Sequence, residues 1–199
     1  MSKVLNYARK GLRILARRLR TQGLRVTLIW AYGRGWPKLT GVPLFRYSRI
    51  TPQVYVGGQH GRRGKRKLEA AGITADLNLR TEFDDAAHGL ALEQYCHLPT
   101  TDDDAPSMEH LYRGVAFIRR IVSAGGKVYV HCAGGVGRAP TMAAAYFVTQ
   151  GMTVEEALAL IRRTRPFIFI TPPQRARLEE FAAAHRALTE RDTQEAEPV

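Results

Sequence analysis

The sequence predicts an α/β fold, a central largely parallel sheet flanked by helices, in a chain of 199 residues that suits one domain of ordinary size. Two observations carry this. Short apolar, β-branched runs alternate with longer segments whose apolar residues recur every three or four positions. Glycine, proline or a capping residue bounds most of these segments. In chain order, "VYVG" at residues 54–57 reads as a strand that ends on Gly57 and Gly58. Residues 65–71 read as a short helix stopped by Gly72, and residues 73–79 and 94–98 as two more strands, the second ending at Pro99. A helix is expected from Ser107, its N-cap, to about Gly125, with Leu111, Val115, Ile118 and Val122 as its apolar stripe. Residues 127–131 form the next strand, and a helix starting near Arg138 runs toward Gly151. Thr153 and Glu156 make a capping box for a helix to about Thr164. Thr171 and Pro172 open the last helix, which is expected to end near Thr189 before a polar tail at 191–199. No internal repeat is present.

Composition narrows the class. There are only two cysteines, Cys96 and Cys132, which excludes a disulfide scaffold and suits a reducing compartment. No apolar run reaches the ~18 residues of a membrane span. The net charge is +12, and it is unevenly placed: the first 68 residues hold 17 of the 30 Lys and Arg and none of the 18 acidic residues. Such asymmetry suits an anionic partner, a membrane surface or a nucleic acid. Leu5, Ala8, Leu12, Leu15 and Leu19 share one helical face, with Arg and Lys largely elsewhere. A basic amphipathic helix of this kind, over residues 3–20, can lie in a lipid interface. The same pattern fits a helix docked on its own domain, and its Arg-rich, acid-free composition also resembles an organelle transit peptide. Trp30, Tyr32, Trp36 and Phe45 lie near this segment and are read as core residues by default.

The segment "KVYVHCAGGVGRAPTMAAAY", residues 127–146, joins a predicted strand to a predicted helix through a glycine loop. Backbone N–H groups of such a loop converge at the helix N-terminus, where the helix dipole favours an anion. Gly134, Gly135 and Gly137 permit the tight backbone such a cradle needs. A cysteine there, Cys132, is favoured as thiolate. Arg138 adds a planar fork that matches two phosphate oxygens. A nucleophile, an amide cradle and a charge clamp together suit attack of sulfur on phosphorus.

The pattern His131-Cys132-x5-Arg138 resembles the signature of the cysteine-dependent protein tyrosine phosphatase superfamily. Cys-x5-Arg also occurs in low-molecular-weight and rhodanese-like phosphatases, so the general acid discriminates. Dual-specificity phosphatases carry an aspartate upstream of the cysteine, on a loop after a strand that ends near a proline. Here "HLPTTDDDAPSMEHL" supplies Asp102, Asp103 and Asp104. Low-molecular-weight enzymes have the opposite order, and rhodanese-like enzymes lack the acid loop. The family pattern Leu-Pro-x-x-Asp singles out Asp102, with Asp103 as the alternative. "RITPQVYVGGQ", "GITADLNLRTE" and "RPFIFITPPQRARLEEF" resemble the entry strand, second strand and closing helix of the same family. The resemblance covers roughly residues 49–185. It extends weakly to "RVTLIWAYGRGWPKL", which, with "TMAAAYFVTQGMTVEEALALIRRTRP", is similar to the mitochondrial-type branch that dephosphorylates phosphatidylglycerophosphate.

The resemblance implies an enzyme that hydrolyses phosphomonoesters through a phosphocysteine. Cys132 is the expected nucleophile and Asp102 the expected general acid, then base. Arg138 and the amides of Ala133, Gly134, Gly135, Val136, Gly137 and Arg138 hold the phosphoryl oxygens, and His131 positions the loop. Ala139 stands where most members carry Ser or Thr, which implies slow breakdown of the intermediate. The loop interior "AGGVG" departs from the mitochondrial-type branch, lacking the basic residue after the first loop position that lipid-phosphatase loops often show, and the absence of Lys also argues against inositol polyphosphates as substrates. Cys96 is expected to be buried and inert. The expected substrates are phosphotyrosine, phosphoserine or phosphothreonine proteins, with a phosphatidylglycerophosphate-like lipid as the alternative. An inactive phosphate-binding module is a further alternative, disfavoured because Cys132, Arg138 and an aspartate are all present. No cofactor is expected, and no ligand spacing suggests a metal. An anionic membrane is the expected partner of residues 3–20, nucleic acid is not, and the expected location is cytoplasmic or peripheral at a membrane. The expected organisation is a basic extension at 1–45, a phosphatase domain at 46–190 and the polar tail.

Overall fold

Strands β1 (Tyr47–Arg49), β2 (Val54–Gly57), β3 (Ala75–Arg80), β4 (Gln94–Thr100) and β5 (Val128–His131) form one sheet in the order β1-β2-β5-β3-β4. This computed structural model describes residues 47–195 and, upstream, residues 16, 19, 20, 23, 24, 27 and 28. β1 runs antiparallel to β2, and the remaining pairings are parallel. β2 and β5 are buried at every residue, as expected of parallel strands covered on both faces. The edge strand β4 runs through Pro99 rather than ending before it, because an edge strand can forgo one ladder donor.

Period-2 alternation divides the side chains between two faces of unequal cover. Val54, Val56, Leu77, Leu79, Val128 and Val130 point into the main core. That core is closed by α2 (Met108–Ser123), α3 (Arg138–Val148), α4 (Val154–Thr164) and α5 (Pro172–Glu195). Every residue of α3 is buried, and its alanines suit that central place by letting neighbours approach closely. Gly114 of α2 does the same from the other side, since a Cβ there would strike the Met142 side chain. The opposite face has thin cover: Tyr55 and Tyr129 pack with Leu68 of α1 (Arg62–Ala70), Ile73 and Leu92.

Capping follows the local sequence. Ser107 accepts from the His110 amide, and Thr153 and Glu156 form the reciprocal box. The last helix continues into the expected tail as far as Glu195, because no glycine or proline intervenes to stop it.

The chain divides into two compact units, Met1–Phe45 and Arg46–Val199. In the first, the described residues are helical, and Leu19, Leu24 and Leu28 are exposed. Most of the predicted amphipathic stripe, including Leu5, Ala8, Leu12 and Leu15, lies outside the described residues, as do Trp30, Tyr32, Trp36 and Phe45. Among the described residues no helix is long and apolar enough to cross a membrane.

Candidate active site

Parallel register places the carboxyl ends of three strands together: His131 of β5 pairs with Gly57 of β2 and Asn78 of β3. Loops leaving these ends converge, the usual place for a site in such sheets. The loop after β5 holds Cys132, 3% exposed, and the Gly135 amide donates to its Sγ at 3.3 Å. Gly135 has φ +63, and a Cβ there would collide with the Gly57 backbone and the Arg165 guanidinium. Glycine is therefore required twice over. Gly58 also packs against the loop, and the Gln59 amide donates to Ala133 O at 3.1 Å.

Arg138 opens α3 at 1% exposure. Its Nη1 donates to Thr100 O at 2.7 Å and Leu79 O at 3.3 Å. Nη1 and Nη2 also form a two-pronged pair with Glu82, at 3.0 and 3.1 Å. Asp102 Oδ1 lies 2.9 Å from Nη2. The structure thus brings the predicted acid to the predicted arginine, which stands 36 positions later in the chain. Nε of Arg138 is buried without a hydrogen-bond partner among the described residues, so one donor of the fork stays free for an anion.

Glu82 was not expected from the sequence. Its hydrogen bonds to Arg138 lower its carboxyl from the usual 4.5 to about 2 against the opposing effect of burial. The Glu82→Gln variant should be less stable by about 1 kcal/mol at neutral pH, allowing for screening of a part-exposed side chain. A depressed carboxylate stabilises fully above pH 4.5, and that contribution is lost as pH falls through about 2. Urea midpoints of wild type and Glu82→Gln should therefore converge on acidification across that window.

The backbones of Asp103 and Asp104 anchor their loop to the last helix. The Asp103 backbone has φ +65, and its carbonyl accepts from Thr171 Oγ1 at 2.9 Å. Asp104 O accepts from Gln174 Nε2 at 3.0 Å. Gln174 also abuts Gly137, where a Cβ would sit 2.9 Å from its Oε1. One buried amide side chain on α5 thus braces both the loop of residues 102–104 and the loop of residues 132–138.

Arg165 is another residue that local pattern did not reveal. It is 1% exposed and donates to Gly135 O at 2.8 Å, Gly134 O at 3.1 Å and Val56 O at 3.2 Å. With loop carbonyls drawn toward Arg165, the loop amides are left to face the opposite way. His131 is fully buried, with Nε2 2.8 Å from Asp85 Oδ2. Burial opposes ionisation of Asp85, yet His131, Gln59 and His60 together outweigh it and hold that carboxyl below its ordinary range. Cys96 sits half-buried on β4, with burial pushing its thiol up. β3 lies between it and the strand that leads to Cys132; two strand spacings come to roughly 9–10 Å, beyond disulfide reach.

The arrangement offers a thiol, an arginine fork, a cradle of amides and a carboxylate within reach, the set that thiol-based phosphoryl transfer requires. The family model for the dual specificity phosphatase catalytic domain matches residues 54–184. The rat phosphatidylglycerophosphatase and protein-tyrosine phosphatase 1 is 39% identical over 168 residues, 78% of this chain and 85% of the relative. Dual specificity protein phosphatase 1-B of Xenopus laevis is 30% identical over 133 residues, 64% of this chain and only 36% of that longer protein. A crystal structure of PTPMT1 in complex with PI(5)P superposes with TM-score 0.66 at 27% identity, covering 72% of this chain and 98% of the other. A match across the strands, both site loops and the closing helix means that the chain belongs to the dual-specificity phosphatase family of cysteine-dependent phosphatases.

Proposed function

We propose that the chain hydrolyses the terminal phosphomonoester of an anionic glycerophospholipid of the phosphatidylglycerophosphate class. The observation that carries this is the extent of similarity to the rat enzyme, which runs over most of both chains. Relatives named only as protein phosphatases align over a minor part of their length. Charge supports the same reading. Gly58 and Gln59 pack on the catalytic loop, and α1, which begins three residues later, exposes Arg62, Arg63, Arg66 and Lys67. Such a surface favours anionic headgroups. A single phosphomonoester needs no cation inside the loop beyond Arg138, which accords with the neutral "AGGVG" interior. Residues 3–20, as a membrane-binding helix, belong to this proposal. Truncation to Arg46 should then weaken sedimentation with phosphatidylglycerol vesicles at low salt.

In the proposed reaction the phosphoryl group enters the loop and displaces Asp102 from the guanidinium. The Cys132 thiolate attacks phosphorus, the ester P–O bond breaks, and Asp102 gives its proton to the departing alkoxide. Water then attacks the phosphocysteine, returning a proton to Asp102 and releasing inorganic phosphate and the thiolate. Asp102→Ala should slow cleavage of alkyl phosphates by roughly 10²–10⁴, and cleavage of aryl phosphates with acidic leaving groups far less. If Asp103→Ala shows that pattern instead, the acid is Asp103. The substrate test compares phosphatidylglycerophosphate vesicles with a phosphotyrosine peptide at equal phosphate concentration. A higher kcat/KM on the vesicles supports the lipid assignment; a higher value on the peptide assigns the enzyme to phosphoproteins.

A further inference from the structure

The thinly covered face of the sheet holds a second cluster of titratable side chains, and the reaction above uses none of them directly as a nucleophile, acid or phosphate ligand. His60 follows β2, Asp76 lies on β3, Asp85 lies in the turn after β3, and His131 ends β5. All four are buried, and their ligand-capable atoms lie within 4.8 Å of one another. Asp76 Oδ2 stands 3.7 Å from His60 Nε2 and 3.8 Å from His131 Nε2. Those separations are too long for hydrogen bonds. They are close to the spacing between two ligands of one tetrahedral ion, about 3.3–3.6 Å for bonds of 2.0–2.2 Å. The fourth atom, Asp85 Oδ2, is 2.8 Å from His131 Nε2.

The two carboxylates are anchored as a metal's outer shell anchors its ligands, while His60 Nδ1 and His131 Nδ1 have no hydrogen-bond partner among the described residues. Each carboxylate is anchored through one oxygen and turns the other inward. The Leu92 amide donates to Asp76 Oδ1 at 3.1 Å, and Gln59 Nε2 donates to Asp85 Oδ1 at 2.6 Å. Among the described residues, the inward oxygen of Asp76 and both nitrogens of His60 have no hydrogen-bond partner. The Asp76 carboxylate, shut away from water with this oxygen unpaired, is strongly disfavoured unless a cation stands beside it. We propose that His60, Asp76, Asp85 and His131 bind one divalent first-row metal ion, zinc by ligand type, in a closed structural site. Imidazole ligands argue against magnesium and calcium. Four protein ligands leave no position for water or substrate, so the ion ties elements together rather than joining the chemistry. It would fasten β2, β3, the turn at Asp85 and β5 directly behind the loop that begins at Cys132. The ligands come from four separate segments, so no local spacing announces them.

The test uses the full chain, purified without a metal-affinity tag or chelator, and elemental analysis. One equivalent of zinc per chain is expected, retained in Cys132→Ser and lost in Asp76→Asn and in His60→Ala. Stripping with a chelator should lower the melting temperature by several degrees, and stoichiometric zinc should restore it. Should the variants fail to fold, cobalt reconstitution of wild type decides the ligand set. Tetrahedral d–d absorption without a thiolate charge-transfer band supports the four N and O ligands, whereas a thiolate band assigns the metal to cysteine and overturns the proposal. It is equally overturned if the protein holds no stoichiometric metal and zinc leaves its melting temperature unchanged. The cluster is then two imidazole–carboxylate pairs.

Discussion

Cys132→Ser is expected to lower phosphatase turnover by on the order of 10⁴-fold or more while phosphate binding survives. A serine hydroxyl is not ionised near neutral pH, whereas the loop offers its dipole and the Gly135 amide to a sulfur anion. The rest of the cradle is untouched by the exchange: Arg165 still holds the Gly134 and Gly135 carbonyls, and Arg138 still presents its fork. Single-turnover assays on an aryl phosphate, with rapid detergent denaturation to trap the phosphoenzyme, give the measurement. A trapped acid-labile phosphate on wild type and none on Cys132→Ser is the expected pair of results. Residual turnover above a few per cent would move the nucleophile elsewhere.

Arg138→Lys is expected to lower kcat by roughly 10²–10⁴ even though the charge is kept. The guanidinium serves Thr100 O, Leu79 O and both oxygens of Glu82 while its Nε remains free. An ammonium cannot span these directions. It leaves Glu82 and two buried carbonyls short of donors, so a loss of stability of about 1–3 kcal/mol should accompany the kinetic loss. Unchanged turnover with lowered stability would make Arg138 a structural residue alone. Product inhibition by inorganic phosphate separates the two effects, since a missing fork weakens it and a merely softened fold does not.

The features readable in the sequence share one property: they are local or follow a family pattern. The strand-loop-helix around Cys132 and Arg138, the Ser107 cap and the Thr153 box each need only a few neighbouring residues. The parallel sheet was legible because apolar strands alternate with amphipathic helices. Glu82, Arg165 and Gln174 were not legible as site residues, because their partners in the site lie 30 to 70 positions away and no periodicity marks them. The same holds for Asp76 and His60, which look like ordinary polar residues until the pleat turns Asp76 inward beside His131. β1 was missed because three residues of an edge strand carry too little pattern. Pro99 misled at β4 because a proline marks a strand end only where its missing donor matters.

Three braces of the site follow it in the chain. Arg165, Thr171 and Gln174, which hold the catalytic loop and the acid loop, lie beyond Cys132 and Arg138. During synthesis the signature therefore leaves the ribosome well before the residues that give it shape. A nascent chain stopped short of Arg165 contains thiol, arginine and aspartate but none of these three braces, so full activity is expected only once α5 has been made. Proteolytic loss of the last helix should likewise silence the enzyme outright, leaving an intact signature in a protein that turns nothing over.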